Sequence, residues 1–153
     1  MPGDNPTNRN LRTLLEATGL VPSEVHLTNA VLCLKPGGMS DDVPKDVQEK
    51  CRPWLAETIR VLQPQAIAAL GRIAGQSLCL VYDIPTSTLK AAERTVPIVA
   101  HDGTGLFGRL NHPVATNPGR RGGRPLAVQV EDWKAIGEWL RRNARKALGS
   151  PNS

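Results

Sequence analysis

Apolar residues recur at helical spacing in several stretches of this chain and gather in short unbroken runs between them, and that alternation predicts its layout. Leu11, Leu14 and Leu15 share one face of a helix predicted over residues 10–18, which Gly19 ends. Residues 25–33 are rich in β-branched side chains and predict a strand, with His26 on the face opposite Leu27. A loop over 35–43 leads to Pro44, which suits the first position of a helix. Along that helix Val47, Cys51, Trp54, Leu55, Ile59 and Leu62 line one side, and Pro64 closes it. Residues 66–70 predict a short apolar strand stopped by Gly71, and 72–80 the next helix. A polar connection is expected over 84–95, a third strand over 96–100 and a fourth over 106–110. A Gly/Arg/Pro loop covers 117–125. Trp133, Ile136, Gly137 and Leu140 mark the inner face of a last amphipathic helix, and 149–153 form a tail.

Strands alternating with helices predict an α/β fold: a three-layer α/β/α sandwich whose short, mainly parallel sheet is joined by right-handed crossovers. At 153 residues one domain is expected, over 1–148. Aromatic residues make up only 3% of the chain, so aliphatic side chains must fill the core. No stretch reaches the length of about 18 apolar residues that a membrane span needs. The opening Met1-Pro2-Gly3-Asp4-Asn5 is not a signal peptide, and three cysteines without paired spacing do not make a secreted disulfide scaffold. A cytoplasmic protein, not bound to membranes, is expected.

The charge is unevenly placed. Residues 1–108 hold ten Lys/Arg against eleven Asp/Glu, whereas 109–153 hold nine against three. Such a basic C-terminal third suits a polyanionic partner. Arg141, Arg142, Arg145 and Lys146 equally suit a solvated helix face that complements the helix dipole. Arg120, Arg121 and Arg124 lie instead in the glycine-rich loop.

Two short segments carry the candidate chemistry. Thr28-Asn29 stands near the end of the strand predicted over 25–33, and Asn111-His112-Pro113 follows the one predicted over 106–110. In α/β sheets ligands sit beyond the carboxyl ends of strands, where an amide and an imidazole can read and polarise a small planar heterocycle. Asn29 also suits a turn cap, and His112 a structural loop histidine. His101-Asp102-Gly103 is expected to be a turn. Gly119-Arg120-Arg121-Gly122-Gly123 lacks the strand-to-helix setting of a phosphate loop, and neither a nucleophile elbow nor a dinucleotide fingerprint is found.

Taken in order, Leu27-Thr28-Asn29-Ala30-Val31-Leu32-Cys33, Cys51-Arg52-Pro53-Trp54-Leu55, the run from Leu62 to Gly71 and Asn111-His112-Pro113 resemble the uracil-DNA glycosylase superfamily, its iron–sulfur classes and their relatives above all. The likeness runs from about residue 5 to 142. It implies an enzyme that flips a deaminated base out of DNA and hydrolyses its bond to the sugar. Asn29 would then bond the uracil edge, and His112 would stabilise the leaving anion. Asn8, Asn10, Thr28, Gly71, Asn111 and Pro113 would line the base pocket. The loop at 113–117 would press into the duplex, with Ala115, Asn117, Arg120, Arg121 and Arg124 on the DNA.

The superfamily's first motif, a glycine-rich strand end that supplies the water-activating residue, has no counterpart ahead of the first helix. The sheet is therefore expected to lack its first strand, and the chain to be either a shortened form of a longer one or a natural remnant. No cofactor is expected: only Cys33 and Cys51 match cluster ligands, and a [4Fe–4S] cluster needs four. The partner implied is DNA holding damaged bases, met by a monomer. The rival expectations are a catalytically inactive DNA-binding relative and, last, an α/β enzyme of small molecules.

Overall fold

In the computed structural model, residues 4–31, 43–120 and 122–148 are described. Among the described residues, five α-helices and one three-stranded sheet make an α/β fold. The expectations for Cys33, Arg121, most of the loop at 35–43 and the tail at 149–153 lie outside the described residues. Two compact units divide the chain: Leu27–Leu110 is one, and the stretches Met1–His26 and Asn111–Ser153 make the other.

The Leu27–Leu110 unit is built on the sheet. Helix α2 (Lys45–Leu62) follows Pro44 and tolerates Pro53 within it. Strand β1 (Ala66–Leu70) passes through Gly71 into α3 (Arg72–Tyr82), followed by α4 (Thr86–Ala91), β2 (Ile98–Val99) and β3 (Gly105–Leu110). Strand β3 is central: Ile67 of β1 stands opposite Leu106 in parallel pairing, and Ile98 of β2 opposite the same Leu106 in antiparallel pairing. Ala69, Leu78, Tyr82 and Leu106 form the buried core, with Ile59, Ile67, Val81 and Ile98 packed round it. Burying a leucine of this kind stabilises by roughly 1.5–3 kcal/mol.

Three expectations need correction here. The strand predicted over 25–33 is absent from its described part, residues 25–31, which form no ladder. His26 to Asn29 are exposed, Leu27 by 49%, and β-branched residues make a strand only where a neighbouring strand and a buried face await them. The sheet is mixed instead of mainly parallel, because five residues join β2 to β3 and so short a link can only form a hairpin. Ala100 N–H donates to Thr104 O at 2.9 Å in that hairpin. The polar connection over 84–95 contains α4, whose Leu89 seats against Gly75 and Gly108, a contact between residues distant in sequence. His101-Asp102-Gly103 is the turn expected of it.

In the other unit α1 (Pro6–Thr18) packs on α5 (Leu126–Leu148). Leu11, Leu14 and Thr18 are buried on α1, and Trp133 and Ile136 on α5. Gly137 makes the close approach possible: a Cβ there would stand 2.1 Å from Thr18 O. Helix α1 begins four residues before the predicted start, because Asn5 accepts from Asn8 N–H at 2.8 Å and Pro6 suits the first turn. Arg141 donates to Thr18 O at 3.2 Å, which ties this member of the basic cluster to the C-terminal end of α1.

Candidate active site

His112 sits at the start of a loop that its own backbone closes. Ala115 N–H donates to His112 O at 2.8 Å, and Arg124 N–H donates to Ala115 O at 2.8 Å, forming a neck at residues 115 and 124. Within the loop Asn117 organises the tip: its side-chain oxygen accepts from Gly119 N–H at 2.9 Å and its carbonyl from Arg120 N–H at 3.1 Å. Gly123 admits no side chain, since a Cβ would lie 1.6 Å from Asn117 O. Residues 117–120 are exposed, so the tip is an ordered turn that stands in solvent.

The imidazole of His112 is exposed, and its Nδ1 faces Val114 N–H at 3.3 Å. That contact makes Nδ1 an acceptor, so a neutral ring carries its proton on Nε2. Nε2–H is then a donor for an oxygen on which negative charge grows. Beside it, Asn111 Nδ2 donates to Gly122 O, bracing the entry of the loop against its far side.

Helices α1 and α5 hold this loop from within the same unit. Asn10 Nδ2 donates to Pro113 O at 2.8 Å, which joins two residues that the sequence placed in one pocket at a separation of 103 positions. Pro113 is fully buried and anchors the segment. Arg124 forms a two-pronged pair with Asp132, at 2.6 and 2.9 Å, which holds its guanidinium pKa above the ordinary value. Gln129 and Asp132 had no place among the residues expected of the site. The signal available for Gln129 was a polar residue one turn before Trp133, on the face that the apolar pattern marks as inner.

Of the remaining expected site residues, Asn8 is half-buried in the first turn of α1, and Ala115 is half-buried at the loop neck. Asn117 and Arg120 are exposed at the loop tip. Thr28 and Asn29 are exposed and belong to the other unit. Gly71 also lies there, with a φ of 86°, and its N–H donates to Leu110 O at 2.8 Å.

A four-thiolate cluster does not fit the cysteines of this chain. There are three where such a cluster needs four, and burial pushes the free Cys79 thiol up, away from the thiolate form. Among the described residues no three His, Cys, Asp or Glu are grouped to hold a metal, and no helix is long and apolar enough to cross a membrane.

The profile of the uracil DNA glycosylase superfamily matches residues 4–134. A type-4 uracil-DNA glycosylase of Archaeoglobus fulgidus is 30% identical to the chain over 86 residues, 56% of this chain and 42% of that protein. The matched stretch thus spans less than half the length of that relative. No solved structure matches the chain.

Proposed function

From the premise that the chain belongs to the uracil DNA glycosylase superfamily, we propose that it removes uracil from DNA by base flipping and hydrolysis of the N-glycosidic bond. The bond between the base nitrogen and the sugar carbon breaks, the electron pair leaves with the base, water supplies the hydroxyl on the sugar, and its remaining proton neutralises the base anion. The observation that carries this reading is the orientation of His112. With Nδ1 accepting from Val114 N–H, Nε2–H of the exposed ring would serve as the donor for the base oxygen as it becomes anionic.

Asn29 would recognise the uracil edge, its amide offering one donor and one acceptor. The loop at 113–117 would press into the duplex where the base leaves, with Arg120 of the exposed turn that follows on phosphate. Arg124, its guanidinium already paired with Asp132, supports the loop in this account.

Base release from single- and double-stranded uracil oligonucleotides, followed by alkali cleavage, tests the proposal. Release is expected from the parent chain and a loss of about 10²–10³-fold in His112→Ala, the scale of removing one donor to a developing anion. Equal release by both chains would overturn the role of His112. DNA binding without release by either would favour an inactive DNA-binding relative.

A further inference from the structure

The loop that carries His112 is gripped from behind by one face of α5, through polar groups shut away from water. Gln129 is 1% exposed, and its amide nitrogen donates to two loop carbonyls, Arg124 O at 2.9 Å and Ala115 O at 3.4 Å. These are the two residues of the neck. Three positions further along α5, Asp132, 3% exposed, takes the Arg124 guanidinium by both carboxylate oxygens. One helical turn therefore holds the neck by a backbone carbonyl on each side and by a side chain.

Hydrogen bonds of this kind are directional, and a buried polar group is costly unless its partners stand in the right place. An apolar residue at 129 would pack α5 without defining where the neck lies. Gln129 and Asp132 instead define it to within hydrogen-bond tolerance, and with it the direction of Nε2 and the height of the exposed tip.

We propose that Gln129 and Asp132 are positioning residues: they act on the reaction only through the loop, by holding its neck in the one geometry that presents His112. The catalytic consequence rests on the glycosylase reading above. The control of loop geometry does not.

Gln129→Leu and Asp132→Asn, in the full chain, test this by two measurements. Amide hydrogen exchange reports the neck at Arg124 and Gly123, with β3 amides as reference. Single-turnover release of uracil is measured at saturating protein, with the Kd for the same oligonucleotide taken separately. Exchange at the neck is expected to speed about tenfold while β3 holds its protection, and release to slow about tenfold with Kd changed less than about twofold. Asp132→Glu, which keeps the charge, should recover part of the rate.

Unchanged neck exchange in both variants would overturn the proposal, as would faster exchange with an unaltered rate. Protection lost equally in β3 would mark the two residues as general supports and overturn it too. Where either variant fails to fold, Arg124→Lys carries the same measurements, since lysine keeps the charge and loses the fork. A parent chain that releases no base would sink the glycosylase reading alone, and neck exchange would still decide whether α5 sets the loop.

Discussion

The Leu27–Leu110 unit closes round Ala69, Leu78, Tyr82 and Leu106, whereas the loop carrying His112 closes on its own backbone and is held in place by side chains bonded to it. Apolar packing is proportional to area and indifferent to direction, so it makes a unit stable without placing any one atom finely. Hydrogen bonds from Asn10 and Gln129, and from Arg124 to Asp132, contribute less net energy each, but they fix angles and distances. Stability and position are thus supplied by different parts of this chain. Substitutions in the first part should show in unfolding, and those in the second in chemistry.

Leu106→Ala is the strongest test of the apolar side. It removes a residue 2% exposed at the centre of the sheet and should cost about 3 kcal/mol in denaturant unfolding. A cost below about 1 kcal/mol would mean that the core is not the source of stability. Gly137→Ala probes the helix pair. Its methyl would meet Thr18 O at 2.1 Å, so α1 and α5 must part, at about 1–3 kcal/mol on the same measurement.

Gly123→Ala sharpens the contrast most. A methyl there collides with Asn117 O, and the neck must open. Base release should fall about tenfold while stability changes by less than about 1 kcal/mol. If stability falls as far as in Leu106→Ala, the loop belongs to the core and the contrast fails.

Asn5→Ala removes the cap on Asn8 N–H and should lower stability by about 1 kcal/mol, read from the same unfolding curve. The smallest effect is set by pH. Thr104 N–H, and after it Thr104 and Tyr82 side chains, hold the Asp102 carboxyl below the usual aspartate range. A carboxyl so lowered contributes its stability above the unfolded value, and loses it as pH falls through the folded one. Asp102→Asn should therefore flatten the acid side of the stability profile and leave the fold's response near neutral pH unaltered. A mutant profile that still tracks the parent below the ordinary aspartate range would rule this out.

Much of the fold was legible because its elements obey local rules. Gly19 ends α1 in the left-handed conformation, Gly71 stops β1, and Pro44 opens α2. The start of α1 is written in Asn5-Pro6, a cap followed by a first-turn proline, ahead of the apolar face from Leu11 onward. Helix α4 was obscured by the polar run Thr86-Ser87-Thr88. Its one anchor, Leu89, gains its meaning from Gly75 and Gly108, which the chain brings beside it only on folding.

Sequence alone determined the α/β class and, α4 apart, the order of helices and strands from residue 44 onward, because periodicity, caps and short motifs act within a few residues. Tertiary structure alone decided three things: that residues 25–31 form no strand, that Arg124 faces Asp132, and that Gln129 holds the loop neck. The physical reason is common to all three. A ladder, an ion pair and a buried amide each need a partner at a set distance and angle, and that partner's place follows from the packing of the whole unit.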